Sequence, residues 1–124
     1  QVDGVRIHGH VPDLQPWLDG CRVSVAPLRY GAGVKGKVNQ AMAHGLPVVA
    51  TTPAVEGMHL VDGQDVLIAA DAAGFADAVL RVHDDEALWQ RIATQGRDNV
   101  ARHFSADAAR ATVRALFFAG PRPR

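Results

Sequence analysis

The chain has 124 residues, 48% of them hydrophobic and 21% charged, which is typical of one globular domain with an apolar core. Its 13 basic and 13 acidic side chains balance, and this argues against nucleic acid as a partner, which would need clustered positive charge. The chain has neither a signal-peptide pattern nor an apolar run near the roughly 18 residues that cross a bilayer. A single cysteine suits a reducing compartment, so we expect a cytoplasmic protein, with peripheral attachment at the inner membrane surface as an alternative for a longer parent.

The first predicted elements are a strand and a short helix. Residues 2–10 alternate apolar and polar side chains, which predicts a strand with Val5 and Ile7 facing inward. Asp13 is an N-cap residue type, and we expect it to begin a short helix that Gly20 ends.

A strand, a glycine-rich loop, a helix and another strand are predicted within residues 22–52. The strands are expected at residues 22–28 and 46–50, and the helix at residues 35–44. Gly45 is the residue type that commonly follows a helix in the left-handed conformation. A loop that leaves the carboxyl end of a strand and begins a helix is where α/β proteins bind phosphates, because free amides and the positive helix end face the ligand there.

The remaining pattern predicts one more strand and three helices. The strand is expected at residues 66–69, and the helices begin at caps on Asp71, on Asp84 or Asp85, and on Ser105. Gly96 is expected to interrupt the second of these helices.

These elements together predict an α/β fold, a Rossmann-like parallel sheet with helices on both faces. We expect residues 1–119 to form the domain and residues 120–124, rich in Pro and Arg, to be a disordered tail.

Two short motifs overlap in the glycine-rich loop. Residues 31–36 satisfy GxGxxG, which is typical of dinucleotide sites, but Thr51 and Thr52 end the next strand where an acidic ribose ligand belongs. Residues 31–37 also satisfy GxxxxGK, yet Val38 occupies the position where a P-loop needs a hydroxyl for magnesium. The P-loop interpretation is therefore disfavoured, and a dinucleotide-dependent oxidoreductase stays open as a less favoured alternative.

A longer series of patterns runs in order along the chain: GHVPDL, VAPLRYGAGVKGKVNQAMAHGLPVVAT, VEG and, near the end, FS. Together they resemble the nucleotide-sugar-binding half of family 4 (group 1) glycosyltransferases of the GT-B fold. The resemblance extends from about Val5 to about Phe117. It implies the donor-binding domain of an enzyme that transfers a sugar from a nucleoside-diphosphate sugar to an acceptor held by a separate N-terminal domain.

The chain departs from this family at two glutamates that lie eight positions apart. The second usually begins the tetrad EAMA and holds the nucleotide ribose, whereas here the tetrad begins with Gln40. The first is replaced by Ala32. The amide oxygen of Gln40 can still accept a hydrogen bond from a ribose hydroxyl, although without the added strength of a charge.

The resemblance and the helix-start chemistry give one set of candidate site residues. Lysines are disfavoured at a helix N-terminus, so two of them there favour a bound anion. The candidates for binding the diphosphate and ribose of a nucleotide sugar are Gly31, Ala32, Gly33, Lys35, Gly36, Lys37 and Gln40, with Glu56 as a further candidate. We identify no catalytic residue, and we expect neither a metal nor another cofactor.

The resemblance also predicts what the chain lacks. Val5 would lie in the third strand of a six-stranded domain of order 3-2-1-4-5-6, so two strands that separate it from residues 22–28 would be missing. We therefore expect a fragment that transfers no sugar alone and that self-associates as a symmetric dimer through an open strand edge, through the apolar last helix, or through both. A non-catalytic module that binds nucleotides or nucleotide sugars is the main alternative.

Overall fold

A computed structural model describes residues 4–9, 12–13, 15–29 and 36–104 of the chain, and these residues form a parallel sheet covered by helices. No helix within them is both long and apolar enough to cross a membrane. The elements in chain order are α1 Gln15–Asp19, β1 Ser24–Ala26, α2 Gly36–Ala43, β2 Val48–Ala50, α3 Thr52–Val55, β3 Leu67–Ile68, α4 Ala72–Asp84 and α5 Glu86–His103.

The three strands are parallel and pair in the order β1-β2-β3. Ser24 lies opposite Val48 in one pair, and Val49 lies opposite Leu67 in the other. Each strand lies within the segment predicted for it but is shorter, because only these residues have a neighbour in register. The predicted α/β class is confirmed.

The core lies on both faces of β2, whose residues are all buried. Val48 and Ala50 face α2 and α3, whereas Val49 faces α4 and α5 together with Leu67 of β3. Side chains alternate between the faces of a strand, so a strand covered on both sides has to be apolar at every position.

Helix α2 ends in the turn predicted for it. Gly45 has a φ of 76°, in the left-handed region. Its amide donates to the carbonyl of Met42 at 2.9 Å, and the amide of Leu46 donates to the carbonyl of Ala41 at 3.0 Å. This pair of bonds is a Schellman motif, which reverses the chain directly into β2.

Two aspartates cap the helices that follow β3. The Asp71 carboxylate accepts from the amide of Gly74 at 2.7 Å, as predicted. Asp85, and not Asp84, caps α5 by accepting from the amide of Leu88 at 3.1 Å. These caps satisfy amides that have no partner within the helix.

Helix α5 lies across the amino ends of the strands. Trp89 Nε1 donates to the carbonyl of Arg22, just before β1, at 2.8 Å. Gly96 packs against Asp65, just before β3, so closely that a Cβ atom there would lie 3.3 Å from the Asp65 carbonyl oxygen. The predicted interruption at Gly96 is wrong, because close packing of the helix outweighs the cost of about 1 kcal/mol for a glycine in its interior.

The predicted first strand is also wrong where the structure describes it. Residues 4–9 form no strand, and Ile7 is 89% exposed and Val5 52% exposed, although both were expected inside. Gly4 and Gly9 have φ values of 82° and 67°, which turn the chain away from extended geometry at both ends. Alternation alone cannot hold a strand without a partner in register.

The predicted self-association is not tested by these features. Among the described residues no strand pairs with the outer edge of β1, and Val25 on that strand is 50% exposed. The predicted helix that begins at Ser105 and the tail at residues 120–124 lie outside the described residues. Helix α3 was not predicted.

The contact at Gly96 generates the first prediction. Replacing Gly96 by Leu should lower the free energy of unfolding by about 1–3 kcal/mol, because the new side chain would meet the Asp65 carbonyl and the Met42 side chain. Urea unfolding followed by circular dichroism measures this change. Ala101→Leu on the exposed side of the same helix is the matched control, expected to change the value by no more than about 0.5 kcal/mol. Equal effects of the two substitutions would contradict the packing described for Gly96.

Candidate functional site

A groove of about 700 Å³ lies at the carboxyl ends of the three strands. Leu28 and Arg29 line it after β1, Thr51 and Thr52 after β2, and Asp71 after β3. Parallel strands bring all their carboxyl ends to one edge of the sheet. Trp89 and Gly96 of α5 contact the main chain at the opposite edge, before β1 and β3, and no described residue of α5 lines the groove. The carboxyl edge is therefore the part of this fold where a ligand can approach the main chain of several strands at once.

Arg29 is the cation that lines this groove. It forms no ion pair with the residues that the structure describes, whereas the other charged lining residue, Asp71, is engaged as the cap of α4. The groove thus offers a guanidinium that always carries a positive charge. The sequence analysis missed Arg29, although a cation directly after the strand predicted at residues 22–28 was a signal that could have found it.

Helix α2 begins at the same edge, because it follows β1 and leads back to β2. Gly36 is its first residue, and Lys37 and Gln40 are exposed on it. Val38 and Met42 hold the opposite side of the helix in the core, which fixes the direction of its N-terminus. The remaining candidates lie outside the described residues: Gly31, Ala32, Gly33 and Lys35.

Asn39, next to Gln40, carries an acceptor that no described residue satisfies. Its Oδ1 atom is buried and has no hydrogen-bond partner in the part of the chain that the structure describes. Buried polar atoms are nearly always paired, and an unpaired one costs about 1–3 kcal/mol. Helix α2 therefore carries an acceptor that a water molecule or the N–H or O–H group of a ligand would satisfy. Nothing in the motif spacing pointed to this residue.

The last candidate, Glu56, begins a tight loop at residues 56–59. Glu56 is exposed, and Gly57 and His59 that follow have φ values of 76° and 62°. Met58 is fully buried, and its carbonyl accepts from Nδ2 of the buried Asn99 at 3.0 Å. The loop is thus anchored to α5 in the core while the Glu56 side chain remains in solvent.

The imidazole rings of His59 and His103 stack above this anchor. Their centroids lie 4.2 Å apart with an angle of 14° between the planes. Partial desolvation lowers the pKa of His103 below its usual value, and the positive charges of His59 and Arg102 lower it further. The neutral form of His103 is therefore favoured.

The described residues include no group of three or more His, Cys, Asp or Glu side chains that could hold a metal ion. The expectation that the site uses no metal stays a prediction.

The fold and the groove together define a class: an α/β domain with a ligand groove at the carboxyl edge of a parallel sheet. A profile of the family described as "Glycosyl transferases group 1" matches residues 1–85 of the chain. The chain belongs to this family.

One relative and two solved structures resemble the chain over most of its length. The lipopolysaccharide core biosynthesis glycosyltransferase LpsE of Rhizobium meliloti (strain 1021) is 29% identical over 106 residues, which cover 84% of this chain. The chain spans only 31% of the length of that relative.

The structural comparisons confirm the fold. The sucrose-phosphate synthase of Thermosynechococcus elongatus matches with a TM-score of 0.70 and 26% identity, over 86% of this chain and 28% of that protein. The C-terminal domain of the group 1 glycosyl transferase LpcC from Francisella tularensis matches with a TM-score of 0.69 and 20% identity, over 79% of this chain and 52% of that domain.

The histidine pair generates the second prediction. Because the pKa of His103 is lowered in the folded state, the unfolded chain binds a proton more readily as the pH falls through the usual histidine value. Stability should therefore decrease between about pH 7.5 and pH 5.5. Thermal melts of the wild type and His103→Gln measure this decrease, which should be smaller in the variant. His59→Gln should act in the same direction, since it removes a neighbouring charge. Equal decreases in all three proteins would contradict the coupling of the two rings.

Proposed function

We propose that the chain is the donor-binding part of a glycosyltransferase that takes its sugar from a nucleoside-diphosphate sugar. The start of α2 and the groove beside it would bind the diphosphate. The observation that carries this proposal is Arg29, which forms no ion pair with a described residue and lies at the edge of the sheet where α2, with Lys37 in its first turn, begins. Membership of the group 1 family and the names of the similar proteins support it.

The proposed chemistry is stabilisation of the leaving diphosphate. When the bond to the anomeric carbon breaks, negative charge accumulates on the phosphate oxygens. Fixed cations and helix-start amides that face this charge lower the barrier, because they need no reorganisation as it develops. Arg29 and Lys37 would supply the cations. Gly36 has no side chain, so a phosphate could approach its backbone closely. Gln40, one turn into α2, would accept a hydrogen bond from a ribose hydroxyl.

Other parts of a longer parent protein would bind the acceptor and would provide the base that activates it. The chain covers only 31% of the length of its relative LpsE, and no catalytic base was identified among its residues. A separate domain would therefore complete the cleft and bring the acceptor to the donor. A cytoplasmic location belongs to the same proposal, because a reducing compartment suits the exposed thiol of Cys21.

Substitution of Lys37 generates the third prediction. Lys37→Ala should weaken binding of UDP, GDP or ADP by roughly tenfold or more, as expected for the loss of a charge-assisted contact of about 1.5–3 kcal/mol. Isothermal titration calorimetry with each nucleotide measures the change. Arg81→Ala, which removes a cation from the last turn of α4, is the matched control and should leave the affinity unchanged. An unchanged affinity in Lys37→Ala would remove this lysine from the site, and a wild-type chain that binds none of the three nucleotides would overturn the proposal.

A non-catalytic nucleotide-binding module remains the second candidate function. It is favoured by the departure at Gln40 and Ala32, where the resembled family has glutamates. Neither side chain carries a charge, so neither can hold a sugar or ribose hydroxyl as strongly as a carboxylate does.

The fourth prediction separates the two functions. In a donor-binding domain, Gln40→Glu should strengthen binding of the nucleotide sugar several-fold, because a charged acceptor forms a stronger hydrogen bond with a ribose hydroxyl. Calorimetry with a series of UDP-, GDP- and ADP-sugars measures this, alone and combined with Ala32→Glu. Binding that neither substitution improves would favour the non-catalytic module. Tighter binding of NAD than of every nucleoside diphosphate would instead revive the oxidoreductase alternative.

A further inference from the structure

Thr51 uses its hydroxyl in an unexpected way. It is the N-cap residue of α3, a position where threonine normally accepts a hydrogen bond from the first turn of its own helix, but it forms no such bond. The hydroxyl instead donates to the carbonyl of Leu28, and it lies 3.4 Å from the carbonyl of Ala26. The backbone amide of Thr51 also donates to Ala26, at 3.2 Å.

These bonds join the carboxyl ends of two neighbouring strands beyond the regular ladder. The register of β1 and β2 stops at the pair Ala26 and Ala50, so the sheet gives no bond to Leu28. The Thr51 hydroxyl supplies one. It thereby fixes the main chain at the point where the chain leaves β1 towards Arg29.

The location of this bond connects it with ligand binding. Thr51, Leu28 and Arg29 all line the groove at the carboxyl edge. The direction of the Leu28 carbonyl sets the orientation of the following peptide, and therefore where Arg29 begins. Catalytic and binding groups must be held within about 0.5 Å of their productive positions. A hydrogen bond that fixes the peptide just before Arg29 can therefore affect affinity although Thr51 does not contact the ligand through its hydroxyl.

We infer that Thr51 is a positioning residue for the donor diphosphate: its hydroxyl holds the main chain of Leu28 so that Arg29 faces the groove. This inference rests on the proposed function. Thr51 itself contacts protein carbonyls through this hydroxyl, so its effect on the ligand is indirect.

The test compares three substitutions that differ in the hydroxyl and in shape. Thr51→Val keeps the branched shape and removes the donor, Thr51→Ser keeps the donor, and Thr94→Val makes the same change at an exposed site on α5. Affinity for UDP, GDP and ADP is measured by calorimetry. Hydrogen exchange is measured in parallel for the peptide that covers residues 28–37, and a melting curve shows that each variant is folded. Thr51→Ala provides a smaller replacement if valine prevents folding.

Loss of the hydroxyl should weaken nucleotide binding about threefold to tenfold, the effect of one hydrogen bond. It should also accelerate exchange in residues 28–37. Thr51→Ser should restore both properties, and Thr94→Val should leave both at wild-type values. The inference would be overturned if Thr51→Val kept the affinity and the exchange of the wild type. It would also be overturned if Thr51→Ser behaved like Thr51→Val. Either result would leave the proposed function intact. Absence of nucleotide binding by the wild type would instead overturn the proposed function, and the inference with it.

Discussion

Strand β2 is the element on which the rest of the structure depends, because it pairs with a strand on each side and is buried on both faces. A parallel strand in this position requires helices above and below the sheet, and the return connections put every strand's carboxyl end at the same edge. The groove and the start of α2 therefore share an edge as a consequence of topology, before any particular side chain is considered. A central strand covered on both faces has to be apolar at every position, and residues 46–50 are all apolar and buried.

The amino and carboxyl ends of the strands have different surroundings, because α5 bonds to the main chain before β1 and β3, whereas no described residue of α5 lines the groove. Trp89 and Arg91 on this helix donate to carbonyls that precede β1 and β3, so unpaired main-chain groups at the amino edge are satisfied by protein. Arg22, also at this edge, pairs with Glu86 and lies over the Trp89 ring, which fixes the start of the helix. At the carboxyl edge, Arg29 has no comparable partner among the described residues. A cation without a protein partner, beside a groove, is available to a ligand.

Features that depend on local hydrogen bonds were predicted correctly from the sequence, whereas predictions were wrong for features that depend on contacts between distant residues. The caps at Asp71 and Asp85 and the turn at Gly45 follow from hydrogen bonds over three to five residues, which spacing reveals. The strand predicted at residues 2–10 was wrong over the described residues 4–9, because alternation says nothing about a partner strand. The interruption at Gly96 was wrong because the glycine serves close packing against residues that are far away in sequence. Arg29 and Thr51 were missed as site residues for the same reason: their importance comes from the edge they share and not from a motif.

Gln40 lies where the resembled family usually has a glutamate, and this difference has an electrostatic consequence at the carboxyl edge of the sheet. Arg29 forms no ion pair with a described residue, Lys37 lies in the first turn of α2, and the carboxylate of Asp71 accepts a hydrogen bond from the amide of Gly74. A glutamate at position 40 would lie one turn from Lys37 on the exposed side of α2 and would offset part of its charge. With glutamine there, the positive charge of Lys37 remains available to a phosphate, while the ribose loses a charged acceptor. On the proposed function, the phosphates would therefore contribute more to affinity, relative to the ribose, than in a domain with a glutamate at this position.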